Sequence, residues 1–313
     1  MEERNMRRLP KTVLLALLTV YLVWGSTYLA IHVSLISFPP FLLMATRFLV
    51  AGGLLFGWLK LRGAPSPTLR QWRDGGIVGV LLLAGGMGLT AVAQQYVSSG
   101  MTAVFIASAP LLFALWGGLF GEWPRGREWV GILAGFSGAA LLASGGEFAA
   151  QPAGVAALAG ALVCWTFGSV LSQKKLTLAP GAMGFASEML IGGIFLLGVG
   201  LVRGEAIVMP LDVRAMLAWA YLVIAGSLAA FSAYMYLLAN VTPALASSYA
   251  YVNPVIAVVL GGWLAGETTG TREAVAMAVI LGSVLLLTTS RSRGKPAPEP
   301  GAAPIAATAV KHH

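Results

Sequence analysis

An apolar segment in the first half of the chain returns in altered form near its end. The first copy reads IASAPLLFALWGGLFGE at 106–122, and the second reads YVNPVIAVVLGGWLAGE at 251–267. Pro110 and Pro254 occupy equivalent places, a Gly-Gly pair follows each of them, and both copies end in Gly-Glu. Repetition of this kind in an apolar chain is typical of membrane proteins that are built from structural repeats.

Composition excludes most soluble classes. Of 313 residues, 58% are apolar and 10% are charged, with a mean hydropathy of +0.81, which indicates a polytopic membrane protein. The formal charge of +8 comes from basic residues at the ends of apolar segments rather than on one face, so we expect no nucleic-acid partner. Cys164 is the one cysteine, which rules out an intramolecular disulfide or a cysteine metal cluster.

Ten windows approach the roughly 20 apolar residues that a bilayer span needs. Short breaks rich in Pro, Gly and Ser separate them, and several breaks place Pro in the first turn of the next helix, where its missing N–H is tolerated. The sequence therefore predicts an all-α protein with ten transmembrane helices. The windows lie at 12–34, 39–60, 74–94, 98–120, 127–146, 153–173, 180–202, 213–238, 243–265 and 271–290.

The two halves of the chain correspond under a shift of 141 residues. This shift lays Trp24 on Trp165 and Arg62-Gly63 on Arg203-Gly204. Because five spans per half is an odd number, the halves must enter the membrane from opposite sides, which predicts two inverted five-helix repeats. We expect the following division: a cytoplasmic segment at 1–11, the first repeat at 12–146, the second at 153–290 and a disordered cytoplasmic tail at 291–313.

The distribution of Lys and Arg predicts the orientation. Sixteen of the 20 basic residues lie in the terminal segments and the loops on the side of the N-terminus, and three lie on the opposite side. Because cytoplasmic loops carry the excess of Lys and Arg, we expect both termini in the cytoplasm.

Several motifs resemble one transporter family in order and spacing. WGSTYLAI at 24–31, PPFLLMATRF at 39–48 and the two repeated segments together resemble the EamA-type drug/metabolite transporters over about residues 12–290. The resemblance implies a ten-helix carrier whose central cavity is lined mainly by helices one, three, four, six, eight and nine. It also implies export of amino acids or other metabolites across the bacterial inner membrane, with the aromatic amino-acid exporters as the most similar branch.

The paired prolines predict helix breaks. Pro110 and Pro254 lie near the middle of helices four and nine, where each frees the carbonyl four residues earlier. A freed carbonyl inside a membrane must face protein or a wet cavity, so symmetric breaks favour hinges beside a binding site. A packing kink is the plainer interpretation.

Polar and aromatic side chains predict the walls of that site. Helix nine carries Ser247, Tyr251 and Asn253, which suit the ammonium and carboxylate of a zwitterion, although hydrogen bonds between helices explain each one singly. Aromatic walls would hold an apolar or aromatic group. The remaining candidates for substrate contact, from helices one, three, six and eight, are Trp24, Tyr28, Thr90, Gln94, Trp165, Ser169 and Tyr234.

Arg47 and Glu188 are the charges that lie well inside predicted spans, and the 141-residue shift makes them equivalent. Because a charge at the bilayer centre costs about 2.5 to 3.5 kcal/mol on insertion scales, each needs a structural or coupling role. Two alternatives are open: the two charges form an ion pair with each other, or Arg47 stabilises structure and Glu188 carries a proton.

The sequence therefore predicts a secondary carrier that exports amino acids, with aromatic or other apolar ones favoured, or similar small metabolites. Multidrug or other metabolite efflux is the alternative within carriers. A channel is disfavoured because no filter sequence or charge ring is present, and an intramembrane enzyme because no catalytic pair is evident. We expect a small-molecule substrate and the lipid bilayer as partners, with no cofactor and no metal, and the sequence is compatible with a monomer.

Overall fold

The computed structural model describes residues 10–145, 151–241, 243–246 and 248–294, and these residues form helices and connecting loops without a β-strand. The short turn Pro243–Ala246 precedes the ninth segment. The helical segments in chain order are α1 (Lys11–Ser34), α2 (Pro40–Leu61), α3 (Leu69–Ala93), α4 (Ser99–Gly118), α5 (Arg127–Ala143), α6 (Pro152–Lys174), α7 (Ala182–Val202), α8 (Val213–Asn240), α9 (Tyr249–Ala265) and α10 (Thr271–Gly294).

Within the described residues, seven helices are long and apolar enough to cross a membrane, namely α1 to α4 and α6 to α8, and α9 is a shorter apolar helix. Large apolar side chains cover their outer surface, and Trp263, for example, is 79% exposed. Such a surface is stable only against lipid or another apolar partner. All backbone hydrogen bonds of a helix are made within the segment, which is what a spanning structure requires.

Local sequence signals set the helix ends. Thr68 and Gln71 form a capping box at the start of α3, in which each side chain accepts a hydrogen bond from the other residue's backbone N–H. Asp212 caps α8 by accepting from the backbone N–H of Arg214 at 2.8 Å. At the end of α9, Gly266 adopts the left-handed conformation with φ of 67°, which a side chain would disfavour.

Three helices contain widened π-helical turns: Val20–Trp24 in α1, Val80–Gly88 in α3 and Leu222–Ala229 in α8. The second and third lie at equivalent places in the two halves of the sequence. Ser227 fits this geometry because its hydroxyl donates to the carbonyl of Leu222, five residues earlier, at 3.0 Å. Turns of this kind interrupt the regular hydrogen-bond ladder and occur frequently at functional sites.

Helix α4 is interrupted within the membrane-length segment. Its first half, Ser99–Ile106, and its second half, Ala109–Gly118, are separated by a turn at Ala107 and Ser108. Pro110 lies in the first turn of the second half. In the ninth segment, by contrast, Pro254 lies inside the continuous helix α9, so the predicted helix break at Pro254 is wrong. Pro254 has no N–H to donate to the carbonyl of Ala250, so one hydrogen bond of this helix is missing although the helix continues.

The helices pack in pairs that correspond between the two halves. The pairs α2–α7, α5–α10 and α4–α9 each join equivalent helices, α1–α8 corresponds to α6–α3, and α1–α9 corresponds to α6–α4. Small residues allow close approach at the α2–α7 crossing: a methyl group added at Gly52 would lie 2.9 Å from Cβ of Met189. Small residues such as glycine are common where membrane helices cross closely.

Candidate functional site

A cavity of about 330 Å³ lies between the two halves of the chain. Its wall is contributed by α1 to α4, α6 and α8 to α10, which include the six helices that the resemblance implied. The apolar part of the wall combines aliphatic side chains with aromatic rings, among them Trp24, Phe113, Trp165 and Phe231. A concave, mostly apolar site with a few polar groups is typical of small-molecule binding.

Trp24 is the centre of an aromatic cluster on this wall. Its ring lies 5.3 Å from Phe231, 5.2 Å from Tyr234 and 5.0 Å from Tyr249, between ring centroids. Its indole N–H donates to the carbonyl of Gly226 in the π-helical part of α8, at 3.3 Å. Edge-to-face contacts and a satisfied N–H hold the ring in one orientation, so α1, α8 and α9 together fix this wall.

Most of the residues predicted from sequence line the cavity. They are Trp24, Tyr28, Thr90, Pro110, Trp165, Tyr251, Asn253 and Pro254. The hydroxyl of Thr90 donates to the carbonyl of Gly86 at 2.8 Å, and that of Tyr251 donates to the carbonyl of Val284 at 3.3 Å. The polar capacity of the wall is therefore partly used by the protein itself.

Four predicted residues do not line the cavity, and one lies outside the described residues. Gln94 is 2% exposed, and neither its amide nitrogen nor its amide oxygen has a hydrogen-bond partner among the described residues. The hydroxyl of Ser169 donates to the carbonyl of Trp165 at 2.7 Å, while Tyr234 packs behind Trp24. The fourth is Glu188, and Ser247 lies outside the described residues.

Asn253 supplies amide chemistry to the wall at a buried position. In the orientation that satisfies its neighbours, the amide nitrogen donates to the backbone carbonyls of Tyr21 and Tyr249, both at 3.2 Å. Both amide hydrogens are then used within the protein. The amide oxygen is therefore the atom through which Asn253 can accept a hydrogen bond from a ligand.

Arg47 also lines the cavity, although it is only 1% exposed. Its Nε donates to the hydroxyl of Ser227 at 2.9 Å, and its guanidinium carbon lies 5.0 Å from the centre of the Phe48 ring. The sequence predicted a structural or coupling role for Arg47 and not a place on the cavity wall. Helix periodicity does not show which neighbouring residue an isolated charge faces. Its position on the wall is set by the packing of α2 against α8.

The suggested ion pair between Arg47 and Glu188 is not formed: among the described residues, no carboxylate lies within 4 Å of Arg47. The two side chains diverge because Arg47 reaches the hydroxyl of Ser227 on α8, whereas Glu188 is 5% exposed at a place where α7 crosses Gly79 of α3. The described residues contain no group of three or more His, Cys, Asp and Glu side chains placed to hold a metal ion.

Two carboxylates from the second half cap helices of the first half. Glu267 accepts hydrogen bonds from the backbone N–H groups of Ser99 at 2.8 Å and Gly100 at 2.9 Å, at the start of α4. Glu205 accepts from the backbone N–H of Leu42, in the first turn of α2, at 2.9 Å. Carboxylates in such positions satisfy orphan donors and complement the helix dipole.

The chain is similar to known transporters over most of its length. The model of the EamA-like transporter family matches residues 11–144 and 152–289. The inner membrane transporter YedA of Escherichia coli (strain K12) is 43% identical over 274 residues, which cover 87% of this chain and 89% of that protein. A transporter of Archaeoglobus fulgidus is 28% identical over 286 residues, covering 89% and 97% of the two chains.

A solved crystal structure resembles the fold. It is 24% identical, has a TM-score of 0.64, and the match covers 90% of this chain and 99% of that chain. A likeness at this level of identity concerns the fold alone.

Proposed function

The chain belongs to the EamA-like transporter family, and from that premise we propose that it is a secondary carrier that exports amino acids or similar small metabolites. Its apolar helices and its similarity to a named inner membrane transporter make it a multi-pass protein of the inner membrane. Solutes with an aromatic or other apolar side chain are the favoured cargo, as in the aromatic amino-acid exporter branch of the family.

The proposed architecture is ten transmembrane helices arranged as two inverted five-helix repeats. The family model matches the chain twice, over residues 11–144 and 152–289, which supports an internal duplication. The packing of the helices supports the internal duplication as well. When the two halves of the chain are exchanged, each of the helix pairs described above becomes itself or another of these pairs. Both termini lie in the cytoplasm in this arrangement, as the excess of basic residues on that side favours.

The observation that carries the proposal is the aromatic cavity between the halves. Its volume of about 330 Å³ falls at the lower end of the range typical for ligand pockets, about 300 to 1,000 Å³, which suits an amino acid with a large side chain. Trp24 and Trp165, which are equivalent in the two halves, both line it. These two tryptophans contact the apolar part of the solute, and Asn253 and Tyr251 contact its polar end.

Transport proceeds by alternating access. Movement of one half against the other exposes the cavity first to one side of the membrane and then to the other. The interruption of α4 before Pro110 is a place where the backbone can absorb such a movement, since the N–H groups of Ser108 and Leu111 bond three rather than four residues back there. Proton coupling through Glu188 is a separate component of this proposal.

Thermal stabilisation of the purified protein across a solute panel tests the proposed function. A solute that binds the native state raises the midpoint of unfolding according to its affinity. We expect phenylalanine, tryptophan and tyrosine to raise it in a saturable manner, and nucleosides to leave it unchanged. Stabilisation by structurally diverse drugs but by none of the amino acids would instead establish the multidrug alternative and contradict amino-acid export.

A further inference from the structure

Resting on the proposed carrier function, we infer that Arg47 is the anchor for the carboxylate of the transported solute. The site accordingly selects monocarboxylates that bear an apolar group, and it tolerates loss of their ammonium group. Amines and neutral analogues without the carboxylate are excluded.

Among the described residues, the charge of Arg47 has no anionic partner. A guanidinium remains protonated in proteins, and buried charges are normally paired with an opposite charge. Here the protein partners are neutral: the hydroxyl of Ser227, the sulfur of Met44 at 3.9 Å from Nη1, and the ring of Phe48. In the described part of the chain, Nη2 donates to no acceptor.

The guanidinium of Arg47 lies beside the aromatic cluster of the cavity. A methyl group added at Gly226 would lie 3.2 Å from Nη2 of Arg47 and 3.2 Å from Cγ2 of Thr27. The tip of Arg47 therefore lies between α8 and α1, next to Gly226, whose carbonyl holds the indole of Trp24. A carboxylate bound at Arg47 would place the side chain of the solute against the aromatic cluster around Trp24.

The charge on the cavity wall favours an anionic solute. Among the described residues that line the cavity, Arg47 is the only charged one. A carboxylate gains a charge-assisted, fork-shaped contact with a guanidinium. An ammonium group meets no carboxylate among the described lining residues, and its partners there are neutral, such as the amide oxygen of Asn253 and the hydroxyl of Tyr28. A single cation matches a monoanion and leaves a phosphate dianion half neutralised.

Neighbouring residues of α8 hold the guanidinium of Arg47 in its orientation. The bond from Nε to Ser227 fixes the plane of the fork, and the absent side chain at Gly226 leaves room for it. Ser227 is thus a positioning residue. Its hydroxyl is itself held by the carbonyl of Leu222 in the widened turn of α8, so the π-helical geometry contributes directly to the orientation of the anion site.

The test measures binding of four probes to the purified full-length carrier: phenylalanine, 3-phenylpropionate, phenethylamine and phenyl phosphate. We expect phenylalanine and 3-phenylpropionate to bind with affinities within about tenfold of each other, and the other two to bind at least about tenfold more weakly. Arg47→Gln should weaken both carboxylates at least about tenfold while leaving phenethylamine unchanged. Arg203→Gln, which removes an arginine that lies over Phe41 outside the cavity, should change none of the four.

Ser227→Ala keeps the charge and provides a second test if Arg47→Gln does not fold. It should weaken the carboxylates severalfold without altering phenethylamine, a change of selectivity that a purely structural role would not produce. Unchanged carboxylate binding in the folded Arg47→Gln or Ser227→Ala protein would overturn the inference, as would tighter binding of phenethylamine or phenyl phosphate by the unaltered carrier. Those outcomes leave the carrier function intact, whereas failure of every solute in the wider panel to bind would remove the proposed function itself.

Discussion

Glu267, which follows α9, accepts a hydrogen bond from the backbone N–H of Ser99, the first residue of α4, across 2.8 Å. The same carboxylate accepts from the hydroxyl of Ser99 at 2.7 Å and from the N–H of Gly100 at 2.9 Å. It therefore joins the two helices that carry the repeated segments. The equivalent residue of the first half, Glu122, forms an ion pair with Lys174 at 2.6 Å.

The cap that Glu267 provides predicts a loss of stability when its carboxylate is removed. Glu267→Ala should lower the free energy of unfolding by about 1 to 2 kcal/mol, because the start of α4 loses its cap. Glu267→Gln, the matched control, should lower it by less, since the amide keeps one oxygen that can accept from these N–H groups. Thermal unfolding in detergent measures both, and equal shifts would contradict the role of Glu267.

The α2–α7 crossing offers a matched pair of adjacent glycines. Gly52→Ala should lower the unfolding midpoint by several degrees, because its new methyl group would lie 2.9 Å from Cβ of Met189. Gly53→Ala should maintain or raise the midpoint, because nothing lies within 4 Å of a methyl group there and Ala favours a helix by about 1 kcal/mol. A larger loss for Gly53→Ala would show that the helices do not cross as described.

Truncation of the cavity wall should reduce transport without loss of folded protein. Trp24→Ala removes the ring that contacts Phe231, Tyr234 and Tyr249, and Asn253→Ala removes the amide oxygen. Each should lower the efflux rate at least about tenfold at subsaturating solute, because a buried anchor is lost. Trp263→Ala, at a residue 79% exposed on the outer surface of α9, is the control that should retain efflux.

The proposed orientation can be tested with single cysteines after Cys164→Ser. Ala206→Cys lies in the loop between α7 and α8, which faces the periplasm in the proposed topology, and Ser66→Cys lies in the loop between α2 and α3, which faces the cytoplasm. A membrane-impermeant maleimide should label the first in intact cells and the second only after permeabilisation. The reverse pattern would place the termini in the periplasm.

The helices were predictable because each apolar window is bounded by strong local signals. Pro40 and Pro152 open their helices, and the start of α3 carries the capping pair Thr68 and Gln71. The described helices accordingly lie within a few residues of the predicted windows. That Pro254 lies inside a continuous helix was not predictable, because a membrane helix tolerates Pro where neighbouring groups satisfy the freed carbonyl, and the sequence does not show those neighbours.

The site was predictable in its aromatic part and not in its charged part. Trp24 and Trp165 are marked by their equivalence between the halves, and both line the cavity. Helical spacing places Gln94 and Ser169 on plausible faces, but which face meets the cavity depends on crossing angles that no local pattern encodes. For Arg47, the missing information was that its neighbour on α8 is Ser227 rather than a carboxylate.

Solute counterflow in liposomes tests the carrier mechanism most directly. Vesicles containing the purified protein are loaded with unlabelled phenylalanine and diluted into a trace of labelled phenylalanine. We expect a transient accumulation of label above the level in protein-free vesicles, strongly reduced by Trp24→Ala. Accumulation that is absent for phenylalanine and for every other carboxylate tried, in vesicles that contain folded protein, would contradict it.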